Sequence, residues 1–380
     1  MIIPRDILVI HASMTEAGHK LYIVGGAVRD HLLGKEPVDF DLATDAMPDV
    51  VMDVLSDYEL DLTGKAFGVV RVRTKNFPKG IEIATFREDI TSGRNPDVKL
   101  GVTIEEDANR RDLTINALFY DISEGKILDF VDGVNHLERR HIVTPGNPLD
   151  RFNEDGLRVI RSIRFKARIA GTLDPSVASA ISVKNPKMES INAAGEKIPV
   201  AQERIREEFL KGLEQAVSPW SFVIDLIEHD LIQEVFPGIV KTGSVVIDSR
   251  RPEFVIAGLM LGRFSETTTQ RGRGTITKYL VETCKFSEKD ANGAGLLMRS
   301  LSKDTGDIFD MHKFLRRTNL TFKDVATFVG ELGGDHNYIS ALTKYEPSMG
   351  PENFPLLSSA ELGLEIRRAE KEIFEKLLNN

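Results

Sequence analysis

The sequence predicts an α+β protein: a mixed α/β head followed by segments that are helical throughout. Three observations carry this. An apolar run at residues 21–24 breaks at Gly25-Gly26, continues as a short helix, and re-enters an extended segment at residues 38–42. Two further strands, residues 66–74 and 80–86, are joined by a turn through Asn76, Pro78 and Gly80. Beyond residue 150 the apolar positions recur with helical spacing. At 380 residues the chain exceeds the usual single domain. The expected divisions are a head at 1–148 and helical segments at 149–215, 216–300 and 301–380.

Composition narrows the function classes. The hydrophobic fraction of 41% and charged fraction of 28% are those of a soluble globular protein. No apolar run reaches the length of a membrane span. The opening residues MIIPRDILVIHASM hold too short an apolar stretch for a signal peptide. Cys284 is the single cysteine, so an intrachain disulfide is excluded, a cysteine-based zinc site is not expected, and a cytoplasmic setting is. The net charge of −9 counts against a polymerase that tracks any RNA, because sequence-independent binding draws on phosphate neutralisation. An acidic chain whose basic residues cluster suits a compact RNA recognised by shape. There is no internal repeat and no low-complexity segment.

In chain order, residues 1–20 read as a helix under the head. The turn at Gly25-Gly26 presents backbone N–H groups with a helix behind them, an anion site for which Arg29 supplies a phosphate contact beside Asp30. Gly34 ends that helix. Alternation along the next strand turns Asp39 and Asp41 to one side and Val38, Phe40 and Leu42 to the core. Paired carboxylates repel unless a cation sits between them, and oxygen donors with open positions suit Mg²⁺ held together with substrate phosphates. That combination points to phosphoryl or nucleotidyl transfer. Residues 46–60 read as a helix with Pro48 in its first turn. Glu82 is either a third carboxylate beside Asp39 and Asp41 or an exposed strand glutamate. Residues 87–109 read as a polar loop. Residues 110–117, RRDLTINA, read as a helix with Leu113 and Ala117 on the core side. Residues 127–148 read as strand, Gly turn, short helix and closing strand.

Residues 151–168 read as one helix with Arg158, Arg161, Arg164 and Arg168 on one side and Val159, Ile160, Ile163 and Ala167 opposite; Leu157 and Phe165 intrude on the arginine side. Like charges so spaced need an anion to offset them. Residues 196–215 form an amphipathic helix; 219–241 and 252–264 read as helical, and 276–345 as several short helices. QRGRG at 270–274 is a basic loop that either touches RNA phosphates or is a plain turn.

GGAVRD with LLG and DFD, then RRDLTINA, EDGLRVIRSIR and ERIREEF, resemble the motifs of the class II tRNA nucleotidyltransferases (the CCA-adding enzymes) and of the bacterial poly(A) polymerases, over roughly residues 20–215. The resemblance implies a polymerase-β-like nucleotidyltransferase head with an all-α neck, body and tail. It implies addition of C, C and A to the 3′ end of tRNA from CTP and ATP, with two Mg²⁺ ions on Asp39 and Asp41 and Glu82 open as a third carboxylate. Gly25, Gly26, Arg29 and Arg111 would position the triphosphate. Asp112 and Asn116 would contact the ribose or orient Arg111, and Arg161 and Arg164 would line the nucleotide site. Asp155 and Arg158 would read the base: a carboxylate accepts from the exocyclic amine of C or A and a guanidinium donates to the ring nitrogen. U and G present the opposite polarity, leaving groups unpaired at about 1–3 kcal/mol each. Arg204 and Arg206 are structural or tail-contacting. The loop at 87–109 matches the flexible loop that goes with adding the terminal A. The ending, PLL and LG before a helix, resembles a shortened family tail. A-only addition stays open; poly(A) synthesis is disfavoured by acidity and the lack of a basic extension. From another class, a catalytically silent RNA-binding module stands against the reading. His229-Asp230 lacks the surrounding histidines of a phosphohydrolase centre, so no phosphatase activity is expected. No membrane and no stable protein partner are implied.

Overall fold

The first nine strands are β1 (Leu21–Val24), β2 (Asp41–Thr44), β3 (Glu59–Asp61), β4 (Val69–Arg73), β5 (Ile81–Thr85), β6 (Arg87–Asp89), β7 (Val98–Leu100), β8 (Phe119–Asp121) and β9 (Lys126–Leu128). Seven of them form one sheet in the order β3-β4-β5-β2-β1-β8-β9, while β6 and β7 pair as a separate arm. The β2–β5 pair is parallel and the other pairs are antiparallel, so the sheet is mixed, as expected. The structure is a computed structural model that describes residues 1–91, 97–184, 188–192, 194–239, 246–261, 273–300, 311, 315, 318, 320–347 and 359–378.

Alternation gives the sheet two unlike faces. Leu21, Ile23, Leu42, Val70, Val72, Ile81 and Ile83 form one core with residues of three helices, α1 (Arg5–Glu16), α2 (Gly26–Leu32) and α3 (Pro48–Val54). Tyr22, Val24, Ala43 and Phe119 form a second core on the other face with Ala108 of α4 (Ile104–Asn109). There follow α5 (Gly133–Glu138), β10 (His141–Ile142), α6 (Pro148–Glu154), α7 (Leu157–Ile169), β11 (Thr172–Leu173), α8 (Pro175–Lys184), β12 (Glu189–Ile191), β13 (Lys197–Pro199) and α9 (Gln202–Gln215). The segment expected to be helical from 149 to 215 thus holds three short strands, β11 on β10 and β12 on β13, and the helix expected from 196 starts at Gln202. Residues 1–208, with 215–217 and 229–231, make one compact unit, and 209–214, 218–228 and 232–380 make another. The second unit is helical in its described parts. Phe209, Phe222, Phe236 and Phe286 pack with ring centroids 5.4–6.1 Å apart, and Gly212 leaves room for the Phe222 ring. Among the described residues, no helix is long and apolar enough to cross a membrane.

Several expectations are corrected. The strand with the two aspartates begins at Asp41, not Val38, and Val38 is 84% exposed while Phe40 and Leu42 are buried. Its partner β1 ends at Val24, opposite Asp41, where Gly25 turns away, so residues 38–40 have no ladder to join. Residues 46–60 are not one helix: α3 stops and β3 pairs with β4. The region 87–109 is not a loop throughout, since β6, β7 and α4 occupy most of it; Thr103 and Glu106 form a reciprocal cap that starts α4. Residues 110–117 make no α-helix but a single tight turn at Thr114–Asn116, because Leu113 is extended and Thr114 N–H donates to the Val143 carbonyl. Leu113 and Ala117 are nonetheless fully buried. The helix expected over 151–168 is two helices. Asp155 is extended (φ −143°) and a Cβ on Gly156 would come within 2.6 Å of the Glu189 backbone, so the chain breaks there. Residues 270–272 of the basic loop, and the PLL of the ending, lie outside the described residues.

Candidate active site

Register places a row of charge across the sheet. Asp61 lies opposite Arg71, Arg71 opposite Glu82, and Glu82 opposite Asp41, so these four share one face. Glu82 is therefore beside Asp41, as its strand position suggested, and it accepts a hydrogen bond from Arg71, which also reaches Asp61 at 3.3 Å. Asp39 lies outside the strand and is exposed. Neither Asp39 nor Asp41 has a hydrogen bond or ion pair among the described residues. Asp41 keeps surface open to solvent, yet the protein packed beside it raises its carboxyl above the usual range, and Glu82 and Asp39 add to the rise while Arg111 opposes it. Unpartnered oxygen donors whose charges repel are what a hard divalent cation would relieve, so the residues present fit Mg²⁺. Among the described residues, no three His, Cys, Asp or Glu side chains already stand in metal-binding geometry.

Beside this row lies the glycine turn. Gly25 has φ +66°, which glycine adopts freely, and a Cβ there would stand 3.5 Å from Arg111 Nη1. Gly26 opens α2. Arg111 packs over the Phe119 ring at 5.0 Å and is held by Asp107, 2.9 Å from Nη2; the same buried carboxylate takes Arg110 at 2.7 Å.

Arg29, expected as a phosphate contact, is 3% exposed and turned inward. Its Nη1 donates to Asn116 Oδ1 at 2.5 Å and its Nε to Asp30 at 3.1 Å. Asn116 donates to Asp112, and Asp112 accepts from Arg161 Nε at 2.8 Å. Arg161 reaches Glu208 at 3.4 Å, and Glu208 accepts from Arg164 Nε at 2.6 Å. Arg164 and Arg168 both donate to Gln215 Oε1 at 2.8 Å, and Arg168 closes on Asp30 at 2.8 Å. The bonds form a closed circuit. Phe165, which intruded on the arginine face, sits among its members, with Arg164, Arg29 and Arg161 at 4.2, 4.9 and 5.5 Å from the ring centroid. The anions that the arginine face required are thus the protein's own Asp112, Glu208 and Asp30.

The expected base-reading pair is separated into two partnerships. Arg158 Nη1 bonds Glu154 at 2.5 Å and its Nη2 the Arg110 carbonyl at 2.9 Å, while Asp155 takes Arg204 at 2.8 Å. Asp107, Glu208 and Glu154 were missed as site residues. Asp107 had a signal, its spacing three and four residues before Arg110 and Arg111. Glu208 lies inside the ERIREEF motif, but its partners are remote in sequence and its spacing named none of them.

Burial would raise the Asp107 carboxyl, but the charges of Arg111 and Arg110 hold it below the usual range. Asp112 is likewise opposed by burial yet held far down by Arg161 and Asn116. Both folded pKa values lie below the unfolded value of 3.8, so their contribution is fully present above it and lost as pH falls below it. The melting temperature is expected to drop from about pH 4 to pH 2, and Asp112→Asn to blunt that drop. A melting temperature flat over this range in the parent would contradict the assignment.

Residues 21–143 match the family described as the poly A polymerase head domain. Poly(A) polymerase I of Salmonella typhi is 36% identical over 252 residues, 63% of this chain and 51% of that protein. The CCA-adding enzyme of Bacillus pumilus (strain SAFR-032) is 38% identical over 234 residues, 60% and 54% of the two chains. The chain spans about half the length of the curated relatives it matches. The fold of the Bacillus stearothermophilus CCA-adding enzyme, solved in complex with CTP, covers 100% of this chain and 94% of its own at TM-score 0.68 and 23% identity. The Thermotoga maritima CCA-adding enzyme, solved with tRNA, covers 99% and 96% at TM-score 0.62 and 19% identity. Over its head the chain matches the poly A polymerase head domain, and the relatives it resembles include both CCA-adding enzymes and bacterial poly(A) polymerases.

Proposed function

We propose that the chain is a template-independent nucleotidyltransferase that adds C, C and A to the 3′ end of tRNA from CTP and ATP. The observation that carries this reading is the unpartnered Asp41 in register with Glu82, with Asp39 beside it and the Gly25 turn flanked by Arg111. In each step the tRNA 3′-oxygen bonds to the α-phosphorus, the bond to pyrophosphate breaks, and the hydroxyl proton passes to water. Asp39 and Asp41, with Glu82 as a further oxygen donor, would hold Mg²⁺, which supplies neutralisation of the triphosphate and activation of the hydroxyl. The Gly25-Gly26 backbone and Arg111 take the triphosphate, the side chain being aimed by Asp107. Asn116 and Asp112 stand behind this turn and set Arg29. Catalysis of this kind rests on positioning and charge, with little covalent work for the protein. A tRNA substrate puts the reaction in the cytoplasm.

Asp155 and Arg158 select the base, and a bound C or A takes the place of Arg204 and Glu154 as their partner. Arg158→Ala is expected to relax discrimination against UTP by roughly 10–100-fold, the equivalent of about 1–3 kcal/mol. Competition between CTP and UTP in single-nucleotide incorporation measures it, and an unchanged preference would move base reading elsewhere.

The test of the function is extension, at single-nucleotide resolution with Mg²⁺, of a tRNA ending at its discriminator base. Three added nucleotides only when CTP and ATP are both present support the proposal. A long ladder with ATP alone means a poly(A) polymerase. Extension by one nucleotide, and only of tRNA already ending in CC, means an A-adding enzyme. No extension means a silent binding module.

A further inference from the structure

The closed circuit around Phe165 joins α2, the turn at Asp112 to Asn116, α7 and α9. It begins on α2, one turn after Gly25-Gly26, and passes through Asn116 and Asp112, next to Arg111. It then runs along α7, whose first turn carries Arg158, and crosses to α9 through Glu208. Buried charge networks are a poor way to gain stability, because apolar packing of equal volume does as well or better. What they supply is geometry. Guanidinium groups are planar and donate in fixed directions, and Arg168 donates through Nη1 to Gln215 at 2.8 Å and through Nη2 to Asp30 at 2.8 Å. An aromatic face beside three of them fixes their planes as well as their distances.

We infer that Phe165 and the circuit around it are a positioning device that holds the triphosphate end of the site, at the Gly25 turn, at one set separation from the base-selecting end at Arg158. This rests on the nucleotidyl-transfer reading. It gives Arg161 and Arg164 a different task from the one their sequence pattern suggests: they act through Asp112 and Glu208 rather than by touching the nucleotide. Phe165, Glu208 and Asp30 join them as positioning residues.

The test replaces Phe165 by leucine, which keeps apolar bulk and removes the ring, and by tyrosine, which restores it. In Phe165→Leu, kcat for CMP incorporation should fall on the order of 100-fold while KM for CTP moves less than about threefold, since each end still binds and only their alignment is lost. Amide hydrogen exchange across α2, remote in sequence from residue 165, should accelerate at least about tenfold, and Phe165→Tyr should restore both readouts. Arg168→Lys keeps the charge but cannot hold Gln215 and Asp30 from two nitrogens set by one plane, so it should shift the same readouts in the same direction even if the leucine variant fails to fold. Exchange at α2 that both Phe165→Leu and Arg168→Lys leave unchanged overturns the coupling. A loss of activity carried by KM, or one that tyrosine does not restore, overturns the positioning role. A parent chain that incorporates no nucleotide overturns the transfer reading instead, and α2 exchange then decides the coupling alone.

Discussion

Asp41→Ala is expected to lower nucleotide transfer at least about 1,000-fold while leaving tRNA affinity within about threefold. The carboxylate has no partner in the protein among the described residues, and burial, then Glu82 and Asp39, push its pKa up. Removing it therefore relieves like-charge repulsion instead of orphaning a cation. Thermal stability should hold or rise slightly, which separates loss of chemistry from loss of fold. Transfer is read by extension of tRNA and affinity by filter binding. Residual activity above about a tenth of the parent would sink the assignment of Asp41 to the reacting phosphate.

The second large effect is on stability. Asp107→Ala leaves Arg110 and Arg111 without the carboxylate they share, in a site where Asp107 is 1% exposed. Removing one partner of a buried ion pair costs about 3–5 kcal/mol, because the remaining charge has lost both water and its counter-ion. For a unit of this size the melting temperature should fall by roughly 6–20 °C. Asp107→Asn, which keeps the shape and part of the hydrogen bonding, should fall between parent and alanine. A fall under about 3 °C for the alanine variant would mean that the two arginines find water or another carboxylate. Transfer should weaken as well, since Arg111 lies beside Gly25 only while Asp107 holds it there.

Much of the head was legible because its signals are local. The apolar run before Gly25-Gly26, the stop at Gly34 and the alternation in β5 are set by neighbouring residues, and the structure follows each. The errors are instructive in the same terms. An arginine every third or fourth residue read as one helix from 151 to 168, but Gly156 is pressed against the Met188–Glu189 backbone, a contact that no local pattern announces. Val38 looked like a core residue because alternation was extended past the point where β1 stops offering a partner. The polar stretch 87–109 hid a helix whose reciprocal Thr103–Glu106 cap was readable and went unread.

The candidate site divides along the same line. Residue type and spacing alone pointed to Asp41 and Glu82 on one face beside a glycine turn, because strand alternation and turn chemistry depend on near neighbours; Asp39 lies outside the strand, beyond the reach of that alternation. Which arginines are paired with the protein's own carboxylates and amides was decided only by tertiary structure. Arg29, Arg161 and Arg164 carry the same charge whether they face a phosphate or a carboxylate, and sequence spacing cannot say which anion arrives. Asp30, Asp112 and Glu208 arrive first, brought from separate segments by the packing of α2, α7 and α9, and the interior they share leaves those charges paired with one another.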